Sequence, residues 1–488
     1  MSRVVMFVFN DCRTDARVLR EAGTLAAAGH AVTIIARPTD PASPVGDREE
    51  RDGFEVIRVP VPWAWRRRWL YLRSPWRGLN RLRSIFVYGA LHPPKGWIAA
   101  ALAVVLGIVA VPWLAFRIVT HYLWRSWRIA RRRPPASGPD TLDWLVSWRF
   151  SILGWARAAG AAAGPADVYH GHDLTGLPAA LAAARLHAGR VVYDSHEIFL
   201  ESGANVNRPA WVRRWFGRIE RGWAARTDAL VTVNRSLAED LGRRLSPRRT
   251  VVLYNAPARW EEQEAPRDLI RAATGIPEDE RIALYHGGFS AHRGLEELGQ
   301  AILQPGLERV HAVFLGYGSM RPWLDAQATD ARYAGRFHVL DAVPPAELVP
   351  WVASADVGVM AIQPSTLNHR LSTPNKLFEC LAAGTPVVAS DFPEMHRIVR
   401  DDPGGPLGVL CDPASPASLA AGIRSLLDLP PDEMADLRRR CLRAAHDRWN
   451  WETESARLLE LYADLVPAPD PATLPVDPAT VPVDPANE

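Results

Sequence analysis

The sequence predicts an α/β protein with two doubly wound, Rossmann-like domains that face each other across a cleft. Short β-branched and aromatic runs alternate with amphipathic stretches in the first sixty residues, and the alternation resumes near residue 167 and again near residue 281. With 488 residues, 48% of them apolar, the chain can fill more than one core. Parallel strands bind ligands at their carboxyl ends, so the cleft between two such sheets is the expected site.

The first domain is predicted over residues 1–257. VVMFVF is its first strand, and the helix that follows has apolar positions every three or four residues and ends near Gly29. AVTIIA and FEVIRV are the next strands. After an interruption the pattern continues with the strands DVYHGHD, RVVYDSHE, ALVTV and TVVLYN, and it includes the helices TGLPAALAAARLHAG and WVRRWFGRIERGWAARTD.

The second domain is predicted over residues 258–447. Its strands are RIALYHGG, HAVFLGYGS, RFHVLD, ADVGVMAI and PVVAS, with helices from about Pro374 to Ala383 and around Ser418–Leu427. The run DRWNWETESARLLELYADL predicts a last helix, assigned to residues 448–465 and expected to return to the first domain. The Pro-rich tail, residues 466–488, cannot bury enough apolar surface to fold and is predicted to be disordered.

The cysteines and the N-terminus indicate a protein of the reducing cytosol. The four cysteines are widely spaced, without a CxxC pair or a histidine partner at zinc-ligand spacing, which predicts neither a disulfide framework nor a structural metal site. MSRVVMFVFND has only a short apolar run before charged sequence, so we interpret it as a buried first strand rather than a signal peptide.

A basic, tryptophan-rich insertion occupies about residues 60–140 of the first domain. It contains fourteen lysines and arginines and no acidic residue between Pro60 and Pro139, which predicts an anionic partner at this place. Within it, Trp97–Phe116 is twenty residues without a charge, enough to span a hydrocarbon core of ~30 Å. Tryptophans and arginines flank this segment, a composition typical of a membrane interface.

The insertion interrupts one α/β domain, which limits how it can meet a membrane. Strands of one sheet cannot form on opposite sides of a bilayer, so the segment must return as a hairpin, enter part-way near Pro112, or lie in the interface. We favour such monotopic or peripheral contact at the cytoplasmic face over a helix buried in the fold or a true span. Nucleic acid is not the expected partner, because twenty uncharged residues lie in the middle of the basic segment.

The stretch TPNKLFECLAAGTPVV carries the clearest chemical signal. Thr373 is predicted to N-cap a helix that has Pro374 at its first position, and backbone N–H groups at such a start favour an anion. Lys376 adds a full positive charge there, and Glu379, three residues on, shares its face. This set suits a ligand with phosphate and hydroxyls, although a capped surface helix with an ion pair is the alternative on spacing alone.

The motif resembles the donor-binding segment of glycosyltransferase family 4, the glycosyl transferases group 1 proteins of GT-B fold, in the subgroup written PNKLFEYLAAGxPVV. Further pieces match in the family's order, namely DARVLREAGTLAAAGHAVTII, DVYHGHDLTGLPAALAAAR, YHGGFSAHRGLEELGQAI, HAVFLGYGS, ADVGVMAI and DRWNWE. The resemblance covers most of the chain apart from the basic insertion and the tail.

The resemblance implies a donor site in the second domain. Glu379 would bind the nucleotide ribose hydroxyls, and Arg293 and Lys376 would hold the diphosphate, which gains charge as the glycosidic bond breaks. Gly287 and Gly288 would let the loop backbone approach the phosphates. The other donor-binding candidates are Asn375 and Leu377. No divalent metal is expected, because basic residues take its role, and no other cofactor is implied.

The first domain is expected to bind the acceptor. His172 and Asp173 end the strand DVYHGHD, and the family places a histidine here near the transferred sugar; with Glu379 they are the predicted catalytic residues. His170 is expected to be a core or edge histidine. The predicted acceptor-side residues are Asp11, Arg17, His196 and Glu197.

Two departures from the family pattern limit what the resemblance implies. The EX7E pattern requires a glutamate eight residues before Glu379, where this sequence has Leu371, and Gly288 replaces an arginine common in the phosphate loop. The sugar contact of the first glutamate is therefore unassigned. The polar candidates for it are Asn368, Ser372 and Asn375.

These observations predict a glycosyltransferase that moves a hexose-type sugar from a nucleoside diphosphate donor, with retained configuration, to a lipid-linked or glycan acceptor at the cytoplasmic membrane face. Cell-envelope polysaccharide or glycolipid synthesis would be its setting. Two alternatives stay open at this point, a nucleotide-sugar epimerase of the same architecture and a non-catalytic, membrane-bound sugar-nucleotide-binding protein. The sequence does not identify the sugar, the base or the acceptor.

Overall fold

The computed structural model describes residues 2–38, 48–62, 141–260 and 268–466, with a few isolated positions between 101 and 123. The predicted tail beyond residue 466 and most of the basic insertion, including most of Trp97–Phe116, lie outside the described residues. Among the residues that are described, no helix combines the length and the apolar character needed to cross a membrane. Membrane contact by the insertion is therefore untested by the fold.

The first domain, in its described part, contains an eight-stranded sheet. Its strands are β1 (Arg3–Phe7), β2 (Ala31–Ala36), β3 (Arg48–Arg51), β4 (Phe54–Arg58), β5 (Val168–His172), β6 (Arg190–Ser195), β7 (Ala229–Thr232) and β8 (Thr250–Val252). They lie in the order β3-β4-β2-β1-β5-β6-β7-β8, and every pair is parallel except β3 with β4. The edge strand β3 was not predicted, because its sequence REER has no apolar alternation.

Helices cover both faces of this sheet. They are α1 (Ala16–Ala27), α2 (Thr141–Ser147), α3 (Leu153–Ala162), α4 (Asp173–His187), α5 (Ala210–Ala224) and α6 (Arg235–Leu245), with a π-helical turn at Trp148–Ile152 joining α2 to α3. Alternate residues of β1 belong to two different cores, Val5 and Phe7 to one and Val4, Met6 and Val8 to the other. This alternation explains why the strand reads as a continuous apolar run.

The second domain has six parallel strands in its described residues. They are β9 (Arg281–Gly288), β10 (Val310–Tyr317), β11 (Phe337–Asp341), β12 (Val357–Met360), β13 (Val387–Ser390) and β14 (Gly408–Cys411), in the order β11-β10-β9-β12-β13-β14. Its helices are α7 (Leu269–Thr274), α8 (Leu295–Ala301), α9 (Arg321–Ala328), α10 (Leu348–Ala353), α11 (Leu367–Leu371), α12 (Asn375–Ala382), α13 (Pro393–Val399), α14 (Pro416–Leu427) and α15 (Pro431–Asp447). A single large core joins the two layers of helices to the sheet.

The last helix, α16 (Trp451–Leu465), packs on the first domain. Leu458, Leu461 and Tyr462 lie in the same core as Val4 of β1. The predicted helix began at Asp447, but Asp447 ends α15. Asn450 separates the two helices, because its side chain accepts a hydrogen bond from Thr453 N and so caps α16.

Candidate active site

A cavity of about 570 Å³ lies between the domains at the carboxyl ends of their strands. The first domain supplies most of its lining, including Asp11, Arg17 and His196, and the second supplies Thr373 and Asn375 at the start of α12. Three of the four predicted acceptor-side residues therefore face a predicted donor-side residue across one space. Another cavity of about 570 Å³, between α3 and α4, is lined by residues of the first domain alone.

Asp194, at the end of β6, is the centre of a buried polar cluster on the acceptor side. Arg17 makes a two-pronged contact to its carboxylate, with Nε 3.0 Å from Oδ2 and Nη2 3.2 Å from Oδ1. His196 Nε2 lies 3.0 Å and His172 Nδ1 3.3 Å from Asp194 Oδ2. Burial alone would raise the pKa of Asp194, but Arg17 and His196 outweigh it and hold that pKa well below its ordinary value. Asp194 is therefore a permanent anion that fixes three side chains.

His196 is the charged member of the cluster that reaches the cavity. Burial would lower its pKa, but the carboxylates of Asp173 and Asp194 raise it to about 10, so the ring is a cation at neutral pH. Its Nδ1 lies 3.5 Å from Asp173 Oδ1. Asp173 itself has a left-handed backbone, with φ of 55°, and its side chain is 40% exposed. Strain of this kind at a non-glycine residue is often found at functional sites.

His172 lies deeper than the sequence predicted. Its side chain has no exposed surface, and its ring stacks on His170 with a centroid distance of 4.4 Å. His172 does not line the cavity in this structure, whereas His196 does, so the contact of His172 with the sugar stays a prediction. His170 is a core histidine, as expected. Its Nδ1 is 2.8 Å from the hydroxyl of Tyr462, and burial lowers its pKa well below the ordinary value.

Glu21 is a buried acid that was not among the predicted site residues. One of its oxygens is 3.0 Å from Arg17 Nε, and burial raises its pKa to about 7. Glu21, His170, His172 and Asp194 each offer a donor atom within 4.8 Å of the others, a spacing that could suit a metal ion. However, the Arg17 guanidinium contacts both carboxylates. A metal would have to share the space with that cation, so the absence of a metal site stays our prediction.

On the donor side, Lys376 and Glu379 project from α12 toward the end of β9. Lys376 Nζ lies 3.4 Å from the ring centroid of Tyr285, a cation–π contact, and no carboxylate among the described residues is at ion-pair distance from it. Burial, helped by the charge of Arg293, lowers the pKa of Lys376 to about 7. Only two of the 57 basic residues in the chain are lysines, Lys95 and Lys376. A buried ammonium without a counter-ion is prepared to receive an anion.

Glu379 is oriented by a neighbour that the sequence analysis missed. His286 Nε2 is 2.8 Å from Glu379 Oε2, and burial lowers the pKa of His286, so a neutral ring donates this hydrogen bond. The Glu379 side chain remains 23% exposed and keeps one oxygen for another donor. His286 could have been found from its position near the end of β9, directly before the phosphate loop.

Gly287 adopts a backbone conformation that the loop requires. Its φ is 105°, and a Cβ at this position would lie 3.7 Å from Lys376 Nζ, in the space over the ammonium group. Gly288 follows with no atom within 4 Å of a Cβ position. The predicted loop glycines therefore leave open space beside Lys376.

One detail of the predicted motif is wrong. Thr373 does not cap α12, which begins at Asn375 after Pro374; instead the Thr373 hydroxyl oxygen accepts a hydrogen bond from Asn234 Nδ2 of the first domain. The Leu377 side chain is fully buried in the core of the second domain, because it lies on the face of α12 opposite the cleft. Leu377 can therefore contact the sugar-nucleotide donor only through its backbone.

Glu197 and Asn368 contact each other across the cleft. Asn368 Nδ2 donates to Glu197 Oε2 at 3.2 Å, and Asn368 Oδ1 accepts from Ile198 N at 3.1 Å. Neither side chain lines the cavity in this arrangement. Glu197 makes a contact between the domains here, and its contact with the acceptor stays a prediction. Of the polar candidates for the sugar, Asn375 lines the cavity, and Ser372 donates its hydroxyl to the carbonyl of His369.

Comparisons with known proteins agree with this architecture. Residues 280–429 match the family model described as glycosyl transferases group 1, and residues 109–256 match that of glycosyltransferase family 4. A D-inositol 3-phosphate glycosyltransferase from Xylanimonas cellulosilytica is 31% identical over 319 residues, covering 61% of this chain and 72% of the relative. Glycogen synthase from Mycobacterium tuberculosis is 28% identical over 312 residues, covering 61% and 68%.

Solved structures show the same fold at low sequence identity. Sucrose-phosphate synthase from Thermosynechococcus elongatus has a TM-score of 0.64 at 16% identity, covering 95% of this chain and 99% of that one. HepE from Anabaena, in complex with UDP and glucose, has a TM-score of 0.56 at 14% identity, covering 95% and 100%.

Two facing α/β domains with a cavity lined from both sides define the GT-B fold. Family models that match both domains, together with the relative from Xylanimonas, make the assignment more specific. The chain belongs to glycosyltransferase family 4, the glycosyl transferases group 1 proteins. It is a transferase, which sets aside the epimerase and the non-catalytic alternatives.

Proposed function

We propose that the protein transfers a sugar, with retained configuration, from a nucleoside diphosphate donor bound against α12 to an acceptor bound against the ends of β5 and β6. The observation that carries this proposal is the shared cavity, where Asp11, Arg17 and His196 face Asn375, one residue before Lys376. Donor and acceptor would meet there without a large domain movement.

The donor would lie with its diphosphate over Gly287 and Gly288. Lys376 and Arg293 would neutralise it, and more strongly as charge develops on the departing nucleoside diphosphate, so these cations favour the transition state. The free oxygen of Glu379 would accept hydrogen bonds from the ribose hydroxyls, and the N–H of Leu377 is a backbone donor nearby. In this arrangement the diphosphate needs no divalent metal or other cofactor.

On the acceptor side, Asp173 and His196 would contact the substrates directly. The exposed Asp173 carboxylate can accept a hydrogen bond from an attacking hydroxyl, and the protonated His196 can donate to an oxygen of the sugar or the diphosphate. His172 and Arg17 would act through Asp194, as positioning residues. Asp11 also lines the cavity and would contact the acceptor.

The acceptor that we favour is lipid-linked and lies at the cytoplasmic face of the membrane. A soluble glycan is the alternative acceptor. The basic composition of the insertion supports an anionic surface as partner. Among the few positions of the insertion that the structure describes are Phe116, Val119 and Leu123, which are 52%, 55% and 65% exposed. Their spacing of three and four residues is that of one helix face. Apolar side chains in this state suit a membrane interface.

A transfer assay tests the proposal. It offers a panel of nucleoside diphosphate sugars, starting with UDP-glucose, to a lipid extract and to a water-soluble glycan extract.

Glu379→Gln is expected to weaken nucleotide binding roughly 10- to 100-fold, since a hydrogen bond to a charged group is lost. Thermal shift with UDP or GDP measures it, and Glu347→Gln, an exposed change in the same domain, is the control. Unchanged binding in Glu379→Gln would place the nucleotide elsewhere. If product appeared only in the aqueous fraction, the proposed lipid acceptor would be wrong. If EDTA abolished transfer, the proposed metal-free diphosphate site would be wrong.

Donor binding is expected to depend on pH through Lys376. Its pKa is about 7 in the free protein, and a diphosphate stabilises the ammonium form and so raises that pKa on binding. Below the free pKa the lysine is already charged. Above it, binding must take up a proton, so affinity should fall by up to about tenfold per pH unit toward alkaline pH.

Calorimetry of UDP binding in two buffers of different ionisation enthalpy measures this proton uptake directly. Lys376→Met, which cannot titrate, is the control and should show no uptake from this group. Equal affinity on both sides of the free pKa in the wild type would contradict the assignment.

A further inference from the structure

Helix α5 has an outer face composed of tryptophan and arginine. Its inner face, with Val212, Phe216 and Ala224, is buried against the first domain. On the opposite face Trp211 and Trp215 are 60% and 48% exposed, and the other exposed side chains there are those of Arg214, Arg218 and Arg221. Glu220 is the only acid of the helix, and it is buried with its Oε1 3.0 Å from the hydroxyl of Tyr193.

The arginines of this face have no carboxylate partner within the part of the chain that the structure describes. Among the described residues, no carboxylate lies at ion-pair distance from Arg214, Arg218 or Arg221, whereas neighbouring Arg213 pairs with Glu201 and Arg244 with Asp240. Three arginines and two tryptophans thus share one exposed helix face that carries no acid. This composition is complementary to an anionic surface with an apolar interior.

A groove of about 500 Å³ lies beside this face, between α5 and α6. Buried apolar side chains line its floor together with the buried Glu220, and the arginines that line it are Arg214, Arg218 and Arg221 and the ion-paired Arg213 and Arg244. The apolar floor residues are Ile198, Leu200, Leu241 and Leu245. An apolar floor beside several arginines suits an amphiphile with a negative head group.

The position of the groove connects the catalytic cleft with the basic insertion. Ile198, which lines the groove, directly follows Glu197, and its backbone N–H donates a hydrogen bond to Asn368 Oδ1 of the second domain. Helix α2, the first element after the insertion, packs on α5, with the rings of Trp144 and Phe216 4.3 Å apart. The insertion therefore re-enters the fold at the same helix that forms the groove.

We propose that the outer face of α5 and the α5–α6 groove dock on an anionic phospholipid membrane. The tryptophans would lie at the level of the head groups, the arginines would contact lipid phosphates, and an acyl or prenyl chain could enter the groove. The docking rests on the proposed function in one respect, because it would turn the cleft toward a lipid-linked acceptor. It is a separate surface from the donor site and from the insertion.

Co-sedimentation of the full chain with phosphatidylcholine vesicles, with and without phosphatidylglycerol, tests the proposal. Each basic residue near an anionic surface contributes about fivefold to partitioning, so Arg214→Gln/Arg218→Gln should lower binding to the anionic vesicles about 25-fold. Arg400→Gln/Arg443→Gln, at two exposed arginines of the second domain, is the matched control and should bind as the wild type does. Trp211→Ser/Trp215→Ser should reduce the part of the binding that persists at high salt.

The docking site would be overturned if the wild type partitioned equally to neutral and anionic vesicles, or if the arginine pair variant bound as the wild type does. It would also be overturned if the protein bound no vesicles and instead bound a single-stranded RNA oligonucleotide through these arginines. The thermal shift by UDP separates this proposal from the proposed function. The arginine pair variant should keep that shift in full, whereas Lys376→Met should show a smaller shift and bind vesicles as the wild type does. Each proposal can therefore fail while the other stands.

Discussion

Replacing Lys376 by methionine is expected to lower kcat/KM for sugar transfer about 100- to 1000-fold, the loss found when one preorganised group that stabilises developing charge is removed. Methionine keeps much of the volume over the Tyr285 ring but cannot carry the ammonium charge that lies 3.4 Å from the ring centroid. The departing diphosphate would then lose one of its two proposed cations. Initial rates with the donor that the panel identifies measure the effect.

The same change is expected to leave the fold intact or to stabilise it. Burial lowers the pKa of Lys376 to about 7, which means that the charged form is disfavoured in the free protein, and methionine removes that cost. Loss of transfer with an unchanged or higher melting temperature would therefore be specific to the site. If transfer falls only in proportion to folded protein, or does not fall, Lys376 does not bind the diphosphate.

Replacing Arg17 by methionine is expected to destabilise the first domain by about 3–5 kcal/mol, the usual effect of removing one partner from a buried ionic cluster. Arg17 is 4% exposed and is the cation between Glu21 and Asp194, and its Nη1 also donates to the Leu253 carbonyl at 2.9 Å. Without it, two buried carboxylates lose their shared counter-ion. Urea unfolding followed by tryptophan fluorescence measures the change.

The pH dependence of this loss has a defined sign. Without Arg17 the folded-state pKa values of Glu21 and Asp194 should rise, so the variant must bind protons that the unfolded chain releases. Its instability should therefore be smallest at acid pH and grow as pH rises through those pKa values. Adding Glu21→Gln to Arg17→Met removes one buried charge and should restore part of the stability, which a double-mutant cycle detects.

Arg185→Met, at an exposed arginine of α4, is the matched control and should change stability little. An Arg17→Met loss no larger than that of Arg185→Met would show that the cluster is not the buried ionic centre described above. An effect of the same size at acid and neutral pH would show that the carboxylates do not titrate.

The alternation of strands and helices, and the motif around Lys376, could be found in the sequence because both depend on local patterns. Side chains of a parallel strand or an amphipathic helix repeat at a fixed spacing, so the two sheets and most of their helices follow from residue order. The errors occurred where a local rule met a tertiary contact. Thr373 is a residue type that often caps helices, but its hydroxyl oxygen instead accepts a hydrogen bond from Asn234 Nδ2 of the other domain.

The buried centre of the acceptor side could be decided only by the tertiary structure. Arg17 and Asp194 are 177 residues apart, and nothing in either local sequence says that they meet or that Glu21 joins them. Glu197 and Asn368, each a plausible sugar contact by sequence, bond to each other because the two domains close on them. The sequence by itself determined the class of fold and the family and predicted the donor motif, since these depend on spacing along the chain. Which polar groups are buried, paired or left open to the cavity depends on contacts between distant segments, and only the folded chain decides them.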